Sequence, residues 1–208
     1  MEGSASAPTS AEIELEPPEW QARAMWVSAR QLCGAAAFLF LAFLFAYFYL
    51  RSLDTNKSWK IGAVDPPVGF GLVIVIVLVL SAVAMRVAVT RPKLTVTAGA
   101  AALGLALLSV LLQVIDWTTL GFGPASGGFA SVFVGWTSVY TVFTLFCAYW
   151  IETQVATAWR RRRLGVEVTP AEVLSDEETV SAGLTACGYF WNFYVANGVL
   201  LFVVLYLL

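Results

Sequence analysis

Apolar residues along this chain gather into five long stretches, which are separated by short polar or charged segments. A helix needs about 20 apolar residues to cross the hydrocarbon core of a bilayer, and each stretch reaches that length. The predicted spans cover residues 31–50, 68–89, 94–115, 129–158 and 184–208. The pattern therefore predicts an all-α integral membrane protein with five transmembrane helices.

The composition agrees with the bilayer as the main solvent. The chain is 59% hydrophobic and 12% charged, against about 25% charged in soluble domains. Its net charge of −2 and the lack of a broad basic face predict no nucleic-acid partner. The chain has no histidine, the commonest side chain for metal ligation and for proton handling near neutral pH. We therefore expect no bound cofactor, no metal and no catalytic residue in this chain.

Three cysteines, Cys33, Cys147 and Cys187, lie inside apolar stretches, and none forms a Cys-x-x-Cys pair. This placement is typical of small packing residues, and a redox or lipidation role is the alternative.

Outside the spans, two segments have a character of their own. Residues 1–25 form an acidic, polar tail that we expect to be partly disordered, and residues 26–208 form the membrane domain. An acidic start is unlike a signal peptide, so the first span is predicted to stay as an anchor. Residues 160–183 form the predicted polar loop, where capping-box patterns at 169–172 and 175–178 predict helix starts. The second would open a helix of about 30 residues that continues into the last span.

The positive charges predict the orientation. Nine of the twelve lysines and arginines fall on the same side of the predicted spans as the N-terminus. The other side has only Arg51, Lys57 and Lys60. Basic residues concentrate on the cytoplasmic side of membrane proteins. The N-terminus is therefore predicted to be cytoplasmic and the C-terminus to lie outside.

Charges in or near the spans are the first candidates for function, because each is costly there unless it is paired or hydrated. Asp116 lies at the end of span three, beside Trp117. It could be an interfacial carboxylate, or it could make a contact that fixes this helix against a neighbouring span or subunit. Glu152 could pair locally with the arginines that follow it or make a polar contact in a cleft. Arg160, Arg161, Arg162 and Arg163 directly follow span four and are candidates for lipid headgroup binding. Arg51 could reach lipid phosphate in the same way.

Small residues in span three predict a helix-packing face. Ala98, Ala102 and Ala106 recur every four residues, with Ala100 and Gly104 beside them. Such spacing lets helix backbones approach closely in a membrane.

Four local patterns occur in an order that is similar to one known family. Residues 44–51 read Leu-Phe-Ala-Tyr-Phe-Tyr-Leu-Arg, and residues 112–117 read Leu-Gln-Val-Ile-Asp-Trp. Residues 128–133 read Gly-Phe-Ala-Ser-Val-Phe, followed by Thr137, and residues 190–193 read Phe-Trp-Asn-Phe. The chain resembles subunit III of haem-copper terminal oxidases in its five-helix bacterial form. The positions that carry the resemblance or suggest an interface are Tyr47, Gln113, Asp116, Trp117, Ser131, Thr137, Glu152, Trp191 and Asn192.

The departures fall on polar positions. The family's buried glutamate corresponds to Ala36, and its two histidines after the threonine correspond to Tyr140 and Phe143. The last motif has Asn192 for histidine and, three residues later, Val195 for aspartate. No role that needs those groups is carried over.

The resemblance implies a non-catalytic subunit in a prokaryotic cell membrane. Haem and copper would belong to the partner catalytic subunit. The first two helices and the last three would form two groups around a lipid cleft. The chain would pack on the catalytic subunit and on other respiratory-complex subunits, bind phospholipids, and support assembly, proton uptake and turnover stability. The alternatives are a scaffold subunit of another respiratory assembly, or a small transporter or channel.

Overall fold

A computed structural model describes residues 18–55, 59–60, 65–164 and 170–208, and these ranges are almost entirely helical. Five helices are long and apolar enough to cross a membrane. Their bounds are α1 Pro18–Ser52, α2 Val68–Thr90, α3 Thr95–Thr119, α4 Gly128–Leu164 and α5 Pro170–Phe202. The prediction of an all-helical chain with five helices of membrane-spanning length is confirmed for the described residues. The prediction of a partly disordered tail concerns residues 1–25, of which 1–17 lie outside the described residues.

Several helices extend beyond the predicted spans. Helix α1 has 35 residues and α4 has 37, whereas about 20 suffice to cross the hydrocarbon core. Apolar composition predicts only the part of a helix that lies within the hydrocarbon core. The helix itself can continue beyond the core through polar residues with good helix propensity, such as arginine and glutamate. Much of the predicted loop 160–183 is consequently helix, with α5 starting at Pro170. The capping side chains proposed for 169–172 and 175–178 lie outside the described part.

The helices pack in a closed arrangement around α5. Helix α1 packs on α5 and, less extensively, on α4, while α3 lies between α2 and α4. Helix α2 also packs on α5, and α5 meets α4 in the interior. The structure does not show the predicted division into the first two and the last three helices around a cleft.

The links between helices account for this arrangement. A single 3-10 turn, Pro92–Leu94, joins α2 to α3, and residues 120–127 join α3 to α4, so these helices are antiparallel neighbours. Residues 53–67 form a longer link, which allows α1 to pack away from α2. Within it Trp59 is buried against Tyr47 and Phe129, and its carbonyl oxygen accepts a 2.9 Å hydrogen bond from the Phe129 N–H near the start of α4.

The bundle has two ends. The arginine-rich end holds the last turns of α2 and α4 and the Pro92–Leu94 turn. The opposite end holds the last turns of α1, α3 and α5, and it is where α5 finishes in a π-helical turn, Val203–Leu207. Successive helices among the five run in opposite directions, because each crossing reverses the chain direction.

Candidate functional site

Asp116 is fully buried near the end of α3 and accepts two hydrogen bonds on one oxygen. Gln113 donates from Nε2 to Oδ2 at 3.1 Å, and the Tyr206 hydroxyl donates to the same oxygen at 2.9 Å. The other carboxyl oxygen, Oδ1, is buried without a hydrogen-bond partner. Of the two interpretations of Asp116, the structure shows the contact that fixes one helix against another, because Tyr206 comes from the last turn of the chain. We call Gln113, Asp116 and Tyr206 the Asp116 cluster.

Trp117 and Thr137 join α3 to α4 next to the Asp116 cluster. The indole N–H of Trp117 donates to Thr137 Oγ1 at 3.0 Å, and the Thr137 hydroxyl donates to the Phe133 carbonyl at 2.7 Å. Thr137 is buried and Trp117 is half-buried. Two motif residues that are 20 positions apart therefore form one helix–helix contact.

Tyr140 and Tyr194 form the central contact between α4 and α5. Their rings stack with centroids 4.4 Å apart, and the Tyr140 hydroxyl donates to the Tyr194 carbonyl at 3.1 Å. The Tyr194 hydroxyl in turn contacts the Tyr140 carbonyl and lies 3.2 Å from Thr144 Oγ1. The sequence resemblance had marked Tyr140 only as a replacement for a histidine and had not indicated its pairing with Tyr194. A signal was present, since a tyrosine within an apolar span needs a partner for its hydroxyl.

Two small cavities lie between the Asp116 cluster and the tyrosine pair. The larger has about 20 Å³ and is lined in part by Gln113, Tyr140 and Tyr206. The smaller has about 10 Å³ and shares Gln113 and Tyr140 with it. A cavity needs at least 10–15 Å³ to hold one water. These spaces match single waters and are too small for a metabolite.

Trp191 is buried and connects three helices through Ser81. Its indole N–H donates to Ser81 Oγ at 3.2 Å, and the Ser81 hydroxyl donates to the Ala102 carbonyl at 2.7 Å. This chain of contacts crosses from α5 through α2 to α3. Asn192, the next motif residue, instead faces outward and bonds within its own helix, from Nδ2 to the Gly188 carbonyl at 2.7 Å.

Tyr47 and Arg51 connect α1 to the end of α5. Tyr47 is 1% exposed, and the Arg51 guanidinium donates to its hydroxyl at 3.4 Å and to the Leu208 carbonyl at 3.2 Å. Arg51 thus bonds to protein atoms, whereas the sequence predicted that it would bind a lipid phosphate.

Ser131 and Glu152 are exposed on α4 and belong to none of these contacts. The Ser131 hydroxyl lies 2.5 Å from the Pro124 carbonyl and 3.0 Å from the Gly127 carbonyl, so it closes the turn that opens α4. Gly127 has a φ of 113°, which favours glycine at that turn. Glu152 makes no ion pair in the part of the chain that the structure describes, so the expected local pairing with the arginines is not seen there.

The four consecutive arginines have different surroundings. Arg162 donates from Nη2 to the Pro92 carbonyl at 2.6 Å, which fastens the end of α4 to the turn before α3. The Arg163 guanidinium lies 4.4 Å from the centre of the Trp159 ring. Arg160 is exposed and Arg161 is half-buried. Arg162 and Arg163 therefore make contacts within the protein itself.

The described residues contain no group of three histidine, cysteine, aspartate or glutamate side chains that could hold a metal ion. Cys33, Cys147 and Cys187 are buried free thiols on α1, α4 and α5 respectively. Several of the buried polar residues share a geometry in which a side chain on one helix bonds to another helix, as Asp116, Ser81 and Tyr140 do.

No known family's sequence model matches the chain, and no curated protein matches it.

Proposed function

We propose that this chain is a cofactor-free accessory subunit of a respiratory membrane complex, with a haem-copper terminal oxidase as the complex that the sequence resemblance favours. One observation carries the proposal. Three residues that contribute to the resemblance make helix–helix contacts: Asp116 with Tyr206, and Trp117 with Thr137. A fourth, Gln113, bonds to Asp116 within α3. Residues that hold helices together fit a subunit whose role is structural rather than catalytic.

The outward surface supports a role in a membrane and beside other subunits. Large apolar side chains such as Phe38, Phe45 and Tyr149 are more than half exposed, with exposed fractions of 77%, 69% and 68%. Inside a membrane such side chains contact lipid or a neighbouring protein. The proposed partners are the haem- and copper-bearing catalytic subunit, other subunits of the complex and phospholipids. Lipid binding is proposed at the arginine-rich end, which the proposal places on the cytoplasmic side of a prokaryotic cell membrane.

A scaffold subunit of a different respiratory assembly would use the same architecture. The replacement of the family's glutamate and histidines by Ala36, Tyr140 and Asn192 favours this second candidate, because a scaffold needs none of those polar groups. A small transporter is the third candidate, and the single-water size of the two cavities argues against it.

Copurification tests the proposal directly. The chain is tagged, expressed in its native host, and extracted with a mild detergent, and the visible spectrum and subunit masses of the purified material are recorded. Haem bands together with a large catalytic subunit are the expected result. A large membrane subunit without haem would favour the scaffold alternative. A colourless protein bound only to itself would overturn the accessory-subunit proposal and direct attention to transport.

A second comparison separates assembly from activity. In the same host, deletion of the chain is expected to leave the initial oxygen consumption per haem nearly unchanged, while the oxidase loses activity faster during turnover. Loss of all haem bands on deletion would assign the chain to assembly alone.

A further inference from the structure

An open groove of about 480 Å³ lies at the arginine-rich end, and its lining residues take no part in the site contacts described above. Val83, Arg86, Val87, Thr90, Arg91 and Leu94 line it. The first four of these are spaced by three and four residues, so they share one face of α2. The packed face of α2 in this region carries Ser81, Ala82, Met85 and Ala88 instead. The groove therefore lies on the outward face of α2, toward the surrounding bilayer.

The two arginines of the groove have no partner in the described part of the chain. The Arg86 and Arg91 side chains are exposed and make neither a hydrogen bond nor an ion pair there. Arg162 and Arg163 differ, because the first bonds to the Pro92 carbonyl and the second lies over Trp159. Two uncompensated guanidinium groups on one groove favour an anionic ligand.

The order of side chains along the groove indicates what kind of anion fits. At 1.5 Å per residue, Arg86 lies about 6 Å and Val83 about 10 Å from the last residue of α2, measured toward the middle of the membrane. Long arginine side chains extend from such positions toward the headgroup layer. The groove thus combines two positive charges with apolar side chains, and Val83 lies deeper in the membrane than either arginine. A free phosphate ion would leave that apolar wall unused, whereas a phospholipid matches both parts.

We propose that Arg86 and Arg91 bind the phosphate of one anionic phospholipid whose upper acyl carbons lie along Val83, Val87 and Leu94. Lys93, exposed in the turn that follows α2, adds to the positive potential there. The inference deepens the lipid-binding part of the proposed function. It rests on the membrane placement of the helices and does not depend on an oxidase partner.

Native mass spectrometry of the full-length chain, with any subunits that stay bound, tests the site. Delipidated protein in detergent is titrated with phosphatidylglycerol and, separately, with phosphatidylcholine of the same acyl chains. The unsubstituted protein is expected to bind one phosphatidylglycerol in preference to phosphatidylcholine. The double variant R86Q/R91Q is expected to weaken that binding by roughly 10- to 30-fold, as the loss of two charge contacts with the phosphate predicts.

Matched variants separate a built site from general charge attraction. R160Q/R163Q removes the same charge from the same end and is expected to bind phosphatidylglycerol like the unsubstituted protein. R86K/R91K keeps the charge and is expected to retain most of the binding, and V83W fills the apolar part of the groove and should weaken binding without altering charge. Because all these positions are exposed, each variant is expected to fold, which the thermal unfolding temperature checks.

Three results would overturn the proposal. Equal binding by R86Q/R91Q and the unsubstituted protein would place the lipid elsewhere. Equal losses of phosphatidylglycerol binding in R86Q/R91Q and R160Q/R163Q would show that the lipid is attracted by the positive charge of this end in general, without a defined site. Displacement of the lipid by millimolar inorganic phosphate would show that the anion alone is recognised. None of these results depends on whether haem copurifies, so the outcome is independent of the oxidase assignment.

Discussion

At the scale of single residues, Asp116 stands out as a carboxyl group that is fully buried. A buried carboxyl group needs hydrogen bonds to offset its removal from water. Gln113 and Tyr206 both donate to Oδ2, and Oδ1 has no partner. The site therefore uses one oxygen of the carboxyl group as an acceptor for two donors.

This geometry predicts that Asp116→Asn is tolerated and Asp116→Ala is not. The asparagine oxygen can accept the same two hydrogen bonds, and its amide replaces the oxygen that has no partner. Alanine would leave the Tyr206 hydroxyl and the Gln113 amide without their acceptor, which costs about 1–3 kcal/mol. Thermal unfolding of the purified protein, followed by tryptophan fluorescence, measures both changes.

Asp65→Asn and Asp65→Ala are the matched controls, because the Asp65 side chain is 80% exposed and pairs only with Lys60 among the described residues. An exposed pair of this kind contributes about 0–1 kcal/mol. If Asp116→Asn were as damaging as Asp116→Ala, the negative charge itself would be in use, and the purely structural role would be wrong.

At the scale of the helices, α3 packs between α2 and α4. One face of α3 is buried along its whole length, and that face carries Gly99, Ala102, Ala106, Ser109, Gln113 and Asp116. The small residues come first and allow close approach to α2 and α4, and the polar residues follow at the opposite end. A Cβ atom at Gly99 would lie 2.5 Å from Val155 Cγ2 on α4, which shows how closely those two helices pack.

Ala102→Leu is expected to destabilise the bundle by crowding this face. Ala102 is fully buried, and its carbonyl accepts the Ser81 hydroxyl from α2. Added side-chain volume at a packed helix contact costs about 1–3 kcal/mol. The measurement is the yield of monodisperse protein in size-exclusion chromatography, together with the unfolding temperature.

Ala100→Leu provides the control, since Ala100 is exposed on the same helix and the substitution is identical. Its unfolding temperature should stay close to that of the unsubstituted protein. Equal losses from both substitutions would mean that the exposed face of α3 is also packed, against another subunit.

The helices could be predicted from the sequence, and most of the contacts between them could not. Long apolar stretches specify spans because the bilayer requires them, and the four-residue spacing of Ala98, Ala102 and Ala106 indicated a packing face. The same spacing argument did not separate buried Ala102 from exposed Ala100 and Gly104. Helix bounds were least predictable where arginine-rich segments continue a helix beyond the lipid, as at the end of α4.

The polar contacts depend on tertiary distances that no local pattern contains. Asp116 meets Tyr206 from 90 positions away, and Trp191 meets Ser81 from 110. A sequence can identify Asp116 as costly in a membrane, but it cannot identify the tyrosine that satisfies it. Arg86 and Arg91 were likewise overlooked, because the consecutive Arg160–Arg163 is the more conspicuous pattern in a sequence.

At the scale of the whole molecule, the lengths of the links determine which helices become neighbours. The Pro92–Leu94 turn keeps α2 beside α3, and the longer segment 53–67 lets α1 reach α5. Contacts at both ends then fix the arrangement, with Arg162 on the Pro92 carbonyl at one end and Arg51 on the Leu208 carbonyl at the other. The basic residues concentrate at the first of these ends, which is the basis for placing it on the cytoplasmic side.

Cysteine labelling tests that placement in intact cells. Ala125 lies exposed in the link between α3 and α4, and Lys93 lies exposed at the arginine-rich end. The three native cysteines are buried, so they should contribute little background. We expect Ala125→Cys to react with a membrane-impermeant maleimide added to intact cells, and Lys93→Cys to react only after the cells are opened. The positive-inside distribution provides the reason, because nine of the twelve basic residues would otherwise have to be moved across the membrane. The reverse labelling pattern would place the Arg86–Arg91 groove on the outer surface, and the anionic lipid proposed for it would then have to come from the outer leaflet.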